Sequence, residues 1–164
     1  MVNDRLDVIG IGNAMVDAFI PSTKAEVENN NLNRDSMNLI DEDLKKKLHE
    51  KYSIKEMVGG GSVGNSMFGI TSFGGNGSFI GKIKEDKIGK FLQEDMIQEG
   101  LNFPLGFTSP DVSTGCCTIF VEKDGTRTMC TYLGAGTLIS PKDVKEEDIK
   151  NHQIAYLEGY LWDN

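Results

Sequence analysis

Leu6-Asp7-Val8-Ile9-Gly10-Ile11, closed by Gly12, is the stretch that decides the fold. A short apolar run ended by glycine reads as a buried strand placed centrally in a sheet. Working outward, residues 16–20 continue as a second strand after a bend, and residues 28–33 (ENNNLN) are polar and turn-like. Asp41 is the N-cap of a helix with Leu44 and Leu48 on one face and Tyr52 a turn later. Residues 54–58 predict a short strand that Gly59-Gly60-Gly61 ends. Ser62 then caps a helix to about residue 73, with Val63, Met67 and Ile70 at helical spacing. Residues 77–83 are another strand, and residues 86–99 a helix burying Ile88, Leu92 and Met96. Residues 115–133 read as a β-hairpin turning at Lys123-Asp124-Gly125. Ser140-Pro141 opens a further helix, with Pro at its first position. Residues 154–157 form a last strand, after which a crossover helix is due. Strands alternating with helices predict an α/β sandwich with a mostly parallel sheet.

Composition narrows the function. The 164 residues fit one domain. A net charge of −8 opposes a phosphate backbone and excludes broad nucleic-acid binding. The run Lys45-Lys46-Lys47 reads as a solvated helix face. Cys116, Cys117 and Cys130 are odd in number and lack C-x-x-C spacing, so reduced thiols in a cytoplasmic protein are expected. His49 and His152 stand far apart, and no metal-ligating set can be read. No apolar run approaches the ~18 residues that span a bilayer. Asp4, Asp7 and Asp17 around the first apolar stretch exclude a signal peptide. Neither a membrane nor a nucleic-acid partner is expected.

Three segments carry candidate chemistry. Gly10-Ile11-Gly12-Asn13-Ala14-Met15-Val16-Asp17 superficially resembles a dinucleotide fingerprint, but Met15 stands where a small third residue is needed. It also places Asn13 and Asp17 at the carboxyl end of a buried strand, where open α/β sheets bind ligands. A carboxylate accepts hydrogen bonds from vicinal hydroxyls, and an amide both donates and accepts, which suits a sugar diol. From these two residues alone, a turn stabilised by Asn and Asp side chains is the favoured reading. Gly59-Gly60-Gly61-Ser62-Val63-Gly64-Asn65-Ser66 lets a ligand touch the backbone before a helix start. It is no Walker loop. Its G-x-S-x-G match would make Ser62 a hydrolase nucleophile with His152 as the only downstream base, yet five glycine-rich residues match easily by chance. Gly134-Ala135-Gly136-Thr137 looks like a phosphate-cradling turn, but Thr137 cannot act as a general base, and a loop after the hairpin is expected.

Taken together, the segments resemble the pfkB family of ribokinase-like carbohydrate kinases. Gly60-Gly61-Ser62-Val63-Gly64-Asn65, then Gly74-Gly75, then Gly81-Lys82-Ile83-Lys84-Glu85-Asp86-Lys87-Ile88-Gly89 follow the family's first signature, the last piece being similar to its G-x-x-x-x-D-x-x-G element. The opening G-x-G-N-x-x-x-D, ending at Asp17, is similar to the adenosine-kinase branch. Ser113-Thr114-Gly115-Cys116-Cys117 and Asp124-Gly125-Thr126-Arg127-Thr128 match the hairpin that follows in such enzymes. The resemblance covers essentially the whole chain.

The resemblance implies a three-layer α/β sandwich with a mostly parallel central sheet and a small β lid, the lid strands coming from about residues 14–40, 54–59 and 103–133. It implies transfer of the ATP γ-phosphoryl group to a sugar or nucleoside hydroxymethyl group with Mg²⁺. Asn13 and Asp17 would hold sugar hydroxyls, Gly60 and Gly61 would pack against the sugar, and Asn65 would bond another hydroxyl. Cys117 would lie near the pocket, and Arg127 is a further candidate. Lids in this family can also pair two subunits, so a homodimer through the lid strands is one expectation. The second signature, a G-A-G-D that supplies the anion hole and the catalytic base, is absent, and the nucleotide pocket belongs to the same missing carboxyl-terminal half. Residues 1–164 are therefore expected to be the amino-terminal part of one domain. They name no catalytic residue and no ATP or Mg²⁺ ligand, have no kinase activity of their own, and leave an unpaired sheet edge that invites association. The alternative is a non-catalytic carbohydrate- or nucleoside-binding module.

Overall fold

The computed structural model describes residues 6–162; Asp4, Asp163 and Asn164 lie outside them. Strand β1 (Leu6–Ile11) lies between β10 (His152–Leu157) and β5 (Gly77–Ile80), and all three run parallel. Alternation along β1 sends side chains to opposite faces. Ile9 and Ile11, with Ile80 of β5, meet Ile139, Val144, Ile149 and Leu161 on one face. Val8 and Phe79 meet Val63 and Met67 of α3 (Ser62–Ser72), and Leu92 and Met96 of α4 (Lys87–Gln98), on the other. Both faces are therefore covered, giving the three layers of an α/β sandwich. Met67, Phe79, Leu92 and Met96 are fully buried; each contributes about 1.5–3 kcal/mol by leaving water. Helix α3 lies directly on the β1 backbone at Gly10, where a side-chain carbon would meet Val63 Cγ1 at 2.5 Å. Among the described residues β10 pairs on one side only, and its Ile154 and Leu157 are exposed.

A second, five-stranded sheet stands at the carboxyl end of β1. Its order is β3 (Met37–Leu39), β9 (Arg127–Tyr132), β8 (Gly115–Glu122), β2 (Met15–Ser22) and β4 (Glu56–Gly60). Helices α1 (Lys24–Asn29) and α2 (Glu42–Lys51) cover one face, burying Ile20, Val27, Leu48 and Phe120. Met15, Asp17, Phe19, Cys117 and Ile119 alternate onto the opposite face. No helix packs on that face among the described residues, and Leu39, Met37, Val58 and Met129 remain exposed there. Within the 103–133 stretch expected to feed this sheet, Phe107–Ser109 (β7) pairs instead with Ile83–Lys84 (β6).

Several local expectations change. The turn predicted over 28–33 begins as helix α1, held by a capping box in which Thr23 and Glu26 bond reciprocally. The glycine run does not end its strand at residue 58, because Gly59 and Gly60 stay in the ladder opposite Val16 and Met15. Only Gly61 leaves it, at φ +84°, and Gly61 rather than Ser62 is the N-cap of α3. The strand predicted over 77–83 breaks after Ile80. Pro141 starts only a 3₁₀ turn, Pro141–Asp143, before the short helix α5 (Glu146–Lys150). Lys45 does not belong to a solvated face: it is 5% exposed, donates to Ser113 Oγ at 2.9 Å and lies 4.3 Å from the centre of the Tyr132 ring. Its apolar stem makes that burial tolerable.

Candidate functional site

The site forms where β1 ends and the two sheets meet. Gly12, just past the end of β1, still bonds the neighbouring strand, donating to Ile80 O at 3.1 Å. Asn13 follows and is 5% exposed; its Oδ1 is buried with no hydrogen-bond partner among the described residues. The chain then enters β2 directly. A dinucleotide fingerprint requires a helix there, so that reading fails on topology.

Asp17 points from β2 onto the open sheet face, with Cys117 of β8 and Val58 of β4 beside it in the ladder. No hydrogen bond reaches its carboxylate among the described residues, and burial raises its pKa above the ordinary aspartate value. Gly60 lies against it: a side-chain carbon there would sit 2.6 Å from Asp17 Cγ and Oδ1. At Gly61 a side-chain carbon would sit 2.8 Å from Asn13 O, and the positive φ excludes one again. The two glycines thus bring bare backbone against the Asp17 carboxylate and the Asn13 backbone oxygen. Cys117 is 5% exposed and accepts from Thr131 Oγ1 at 3.4 Å; burial pushes its pKa up to about 11.

Asn13, Asp17, Gly60, Gly61 and Cys117 therefore converge. Asn65 lies one turn into α3, exposed beside Val58, Gly59, Phe68 and Asp95. Its backbone N–H donates to Gly61 O at 2.9 Å. Arg127 is on the open face but pairs with Val121, four residues along β9 from Thr131, or roughly 13 Å from the level of Asp17. The structure does not bring it to the other residues.

Two contributors escaped the sequence. Glu158, at the carboxyl end of β10, is 6% exposed, accepts the Asn13 backbone N–H at 2.6 Å through Oε2 and accepts the Ser62 hydroxyl through Oε1. The available signal was a glutamate ending the apolar run IAYL, at the edge where parallel strands present ligand-binding groups. The turn Gly134–Leu138 is not a free loop either: Gly136 packs on Asn13, where a side-chain carbon would sit 2.9 Å from Oδ1. The hydrolase arrangement is absent. Ser62 is engaged by Glu158, while His152 opens β10 and bonds Ser78 Oγ at 2.7 Å.

With Asp17, Glu158 and Asn13 Oδ1 the site is rich in acceptors, so it matches hydroxyl donors and opposes phosphate. The glycine-rich start of α3 already faces the Glu158 carboxylate, and a nucleotide triphosphate does not fit there. Among the described residues no group of three or more His, Cys, Asp or Glu side chains is placed to hold a metal ion. None of the described helices is long and apolar enough to cross a membrane.

Known proteins share this fold. The family model for pfkB family carbohydrate kinases matches residues 28–164. A probable sugar kinase from Rhizobium etli superposes with a TM-score of 0.86 at 32% identity, covering 98% of this chain and 48% of that one. Adenosine kinase from Sinorhizobium meliloti gives 0.86 at 34% identity, covering 97% and 49%. The bifunctional ribokinase/ribose-5-phosphate isomerase A of Fructilactobacillus sanfranciscensis is 30% identical over 86 residues, which are 52% of this chain and 16% of that protein. The chain spans about half the length of the solved structures it matches. From the family match over most of its length, together with the superposition of its fold, the chain belongs to the pfkB family of carbohydrate kinases.

Proposed function

We propose that this chain forms the acceptor-binding half of a kinase that phosphorylates the hydroxymethyl group of a sugar or nucleoside. One observation carries the reading: Asn13 Oδ1, buried without a partner, and the Asp17 carboxylate, held over the bare backbone of Gly60, are two acceptors that no protein donor reaches among the described residues. A vicinal diol offers two hydroxyl donors to such a pair, and its ring lies against the glycine backbone. The acceptor-rich lining selects a neutral polyol over one already phosphorylated at this end. The apolar open face beside Asp17, with Phe19, Val58, Ile119 and Met129, supports a nucleoside over a free sugar, since a base laid there leaves water at about 25 cal/mol per Å². The family resemblance supports Asn65 as a further hydroxyl partner, and the five-stranded sheet acts as the lid.

Phosphoryl transfer depends on a positioned base and on charge stabilisation around the moving group. The G-A-G-D signature that the family resemblance assigns to those roles does not occur in residues 1–164, so this chain alone is assigned binding without catalysis. Calorimetric titration with ribose and with adenosine tests the binding: saturable association that Asp17→Asn abolishes is the expected result, and no association with either compound sinks the reading. ATP-dependent phosphorylation by a clean preparation of these 164 residues would refute the absence of catalysis. A second arrangement, pairing of two copies through the lid, is favoured by Met37 and Leu39, 53% and 66% exposed on the edge strand β3. A monomer by size-exclusion chromatography at high concentration excludes it.

A further inference from the structure

We propose that Glu158 is a positioning residue that sets the spacing between Asn13 and the glycine pair, a role that rests on the acceptor-site reading above. Its carboxylate touches both walls. Oε2 accepts the backbone N–H of Asn13 at 2.6 Å, and Oε1 accepts the hydroxyl of Ser62, the residue directly after Gly61. Its own backbone N–H donates to Ile11 O at 3.0 Å, which anchors the residue to the end of the central strand. Three segments far apart in sequence thus meet on one side chain: the β1–β2 turn, the first turn of α3 and the end of β10.

Two further features fit this role. The N-cap of α3 is Gly61, which has no side chain to cap the helix. A carboxylate at that end complements the positive pole of the helix. Gly12 also has no room for a side chain, because a carbon there would sit 2.9 Å from Glu158 Oε2. The second glycine of G-x-G-N is therefore the space in which the carboxylate lies.

Removing the acceptor leaves the buried Asn13 N–H unpaired, and Asn13 then drifts from the position in which Oδ1 faces the diol. A glutamine keeps both contacts. Its Oε1 accepts from Asn13 and its amide N–H donates to the Ser62 hydroxyl, which can turn to accept. Leucine fills the same space and keeps neither. A residue that only fills space predicts leucine to be as good as glutamine; a positioning residue predicts the reverse.

The test measures adenosine and ribose affinity of the 164-residue chain by calorimetry, alongside the Asn13 amide proton in ¹⁵N–¹H spectra. Glu158→Leu removes two charge-assisted hydrogen bonds and is expected to weaken binding by about tenfold or more. Glu158→Gln retains most of it, and Glu146→Gln, an exposed carboxylate elsewhere, changes nothing. The Asn13 amide resonance moves strongly upfield in the leucine variant and slightly in the glutamine variant. Ser62→Ala removes one contact and weakens binding by a smaller factor, which keeps the idea testable if Glu158→Leu does not fold. Equal affinity of the parent, Glu158→Leu and Ser62→Ala chains overturns the role of Glu158 alone. A parent chain that binds neither compound overturns the acceptor site and this role together.

Discussion

Asp17 occupies the space that a side chain at Gly60 would fill: a carbon there would lie 2.6 Å from Asp17 Oδ1. The two residues face each other across the antiparallel ladder of β2 and β4, where Met15 pairs with Gly60 and Asp17 with Val58. The carboxylate is thereby held over the bare backbone of Gly60.

Gly60→Ala should therefore disable the site more than it disturbs the fold. The methyl group displaces Asp17 toward the open face, where there is room for it. Binding of adenosine or ribose is expected to fall below detection, while urea unfolding shows a loss of about 1–3 kcal/mol, the usual cost of overpacking. Unchanged affinity would mean that Asp17 is not held by this contact.

Asp17 itself should trade stability for binding. Burial raises its pKa in the folded chain. A carboxyl whose folded pKa lies above its unfolded value favours folding while protonated, and that contribution is lost as pH rises from the unfolded value through the folded one. Asp17→Asn is thus expected to raise the melting temperature at pH 7, with the difference vanishing near pH 3, below the ordinary aspartate range. Adenosine or ribose binding to the parent chain should weaken as pH falls through the raised pKa, because the protonated carboxyl loses acceptor capacity. A melting temperature that drops on Asp17→Asn at pH 7 would contradict the sign of the shift.

How much of this was legible in the sequence depended on the range of the signal. Leu6–Ile11 was readable as a central strand because its apolar run is short and bounded, and both faces are in fact buried. Asn13, Asp17, Gly60 and Gly61 were readable because spacing within a motif survives folding. Glu158 was not, since its partner Asn13 lies 145 residues away and nothing local marks the pairing. The end of β4 was misplaced because glycine carries no side chain from which a strand boundary can be judged. Lys45 was misread because a run of lysines gives its charge but not the Tyr132 ring and Ser113 hydroxyl that receive one of them. Arg127 was a further candidate from the hairpin motif, but antiparallel pairing carries it away from Cys117 along β9.

The cysteines should be inert. Burial pushes the pKa of Cys116 and Cys130 up to about 12 and that of Cys117 to about 11. Since only the thiolate reacts, the reactive fraction at neutral pH is below about one in a thousand. A disulfide reagent should label none of the three thiols within minutes in the native chain and all three in guanidinium. Rapid labelling of one thiol in the native chain would show that the second sheet opens readily.

Gly89 and Gly69 should respond in opposite directions to the same substitution. Gly89 N–H donates to Asp86 Oδ1 at 2.8 Å in the first turn of α4, while Asp86 Oδ2 accepts from Thr114 N–H at 2.9 Å. This aspartate ties the start of α4 to the entrance of β8, which explains the D-x-x-G spacing physically. A side-chain carbon at Gly89 would collide with the backbone oxygen of Lys84 and lie 2.7 Å from Thr114 Oγ1. Backbone cannot swing aside as a flexible side chain does, so Gly89→Ala should cost about 3 kcal/mol in urea unfolding, the upper end for overpacking. Gly69 lies inside α3 with nothing within 4 Å of where its side chain would be. Gly69→Ala should stabilise the chain by about 0.5–1 kcal/mol, the difference in helix propensity. Two equal effects would show that helix propensity alone, and not the space around each residue, governs the two glycines.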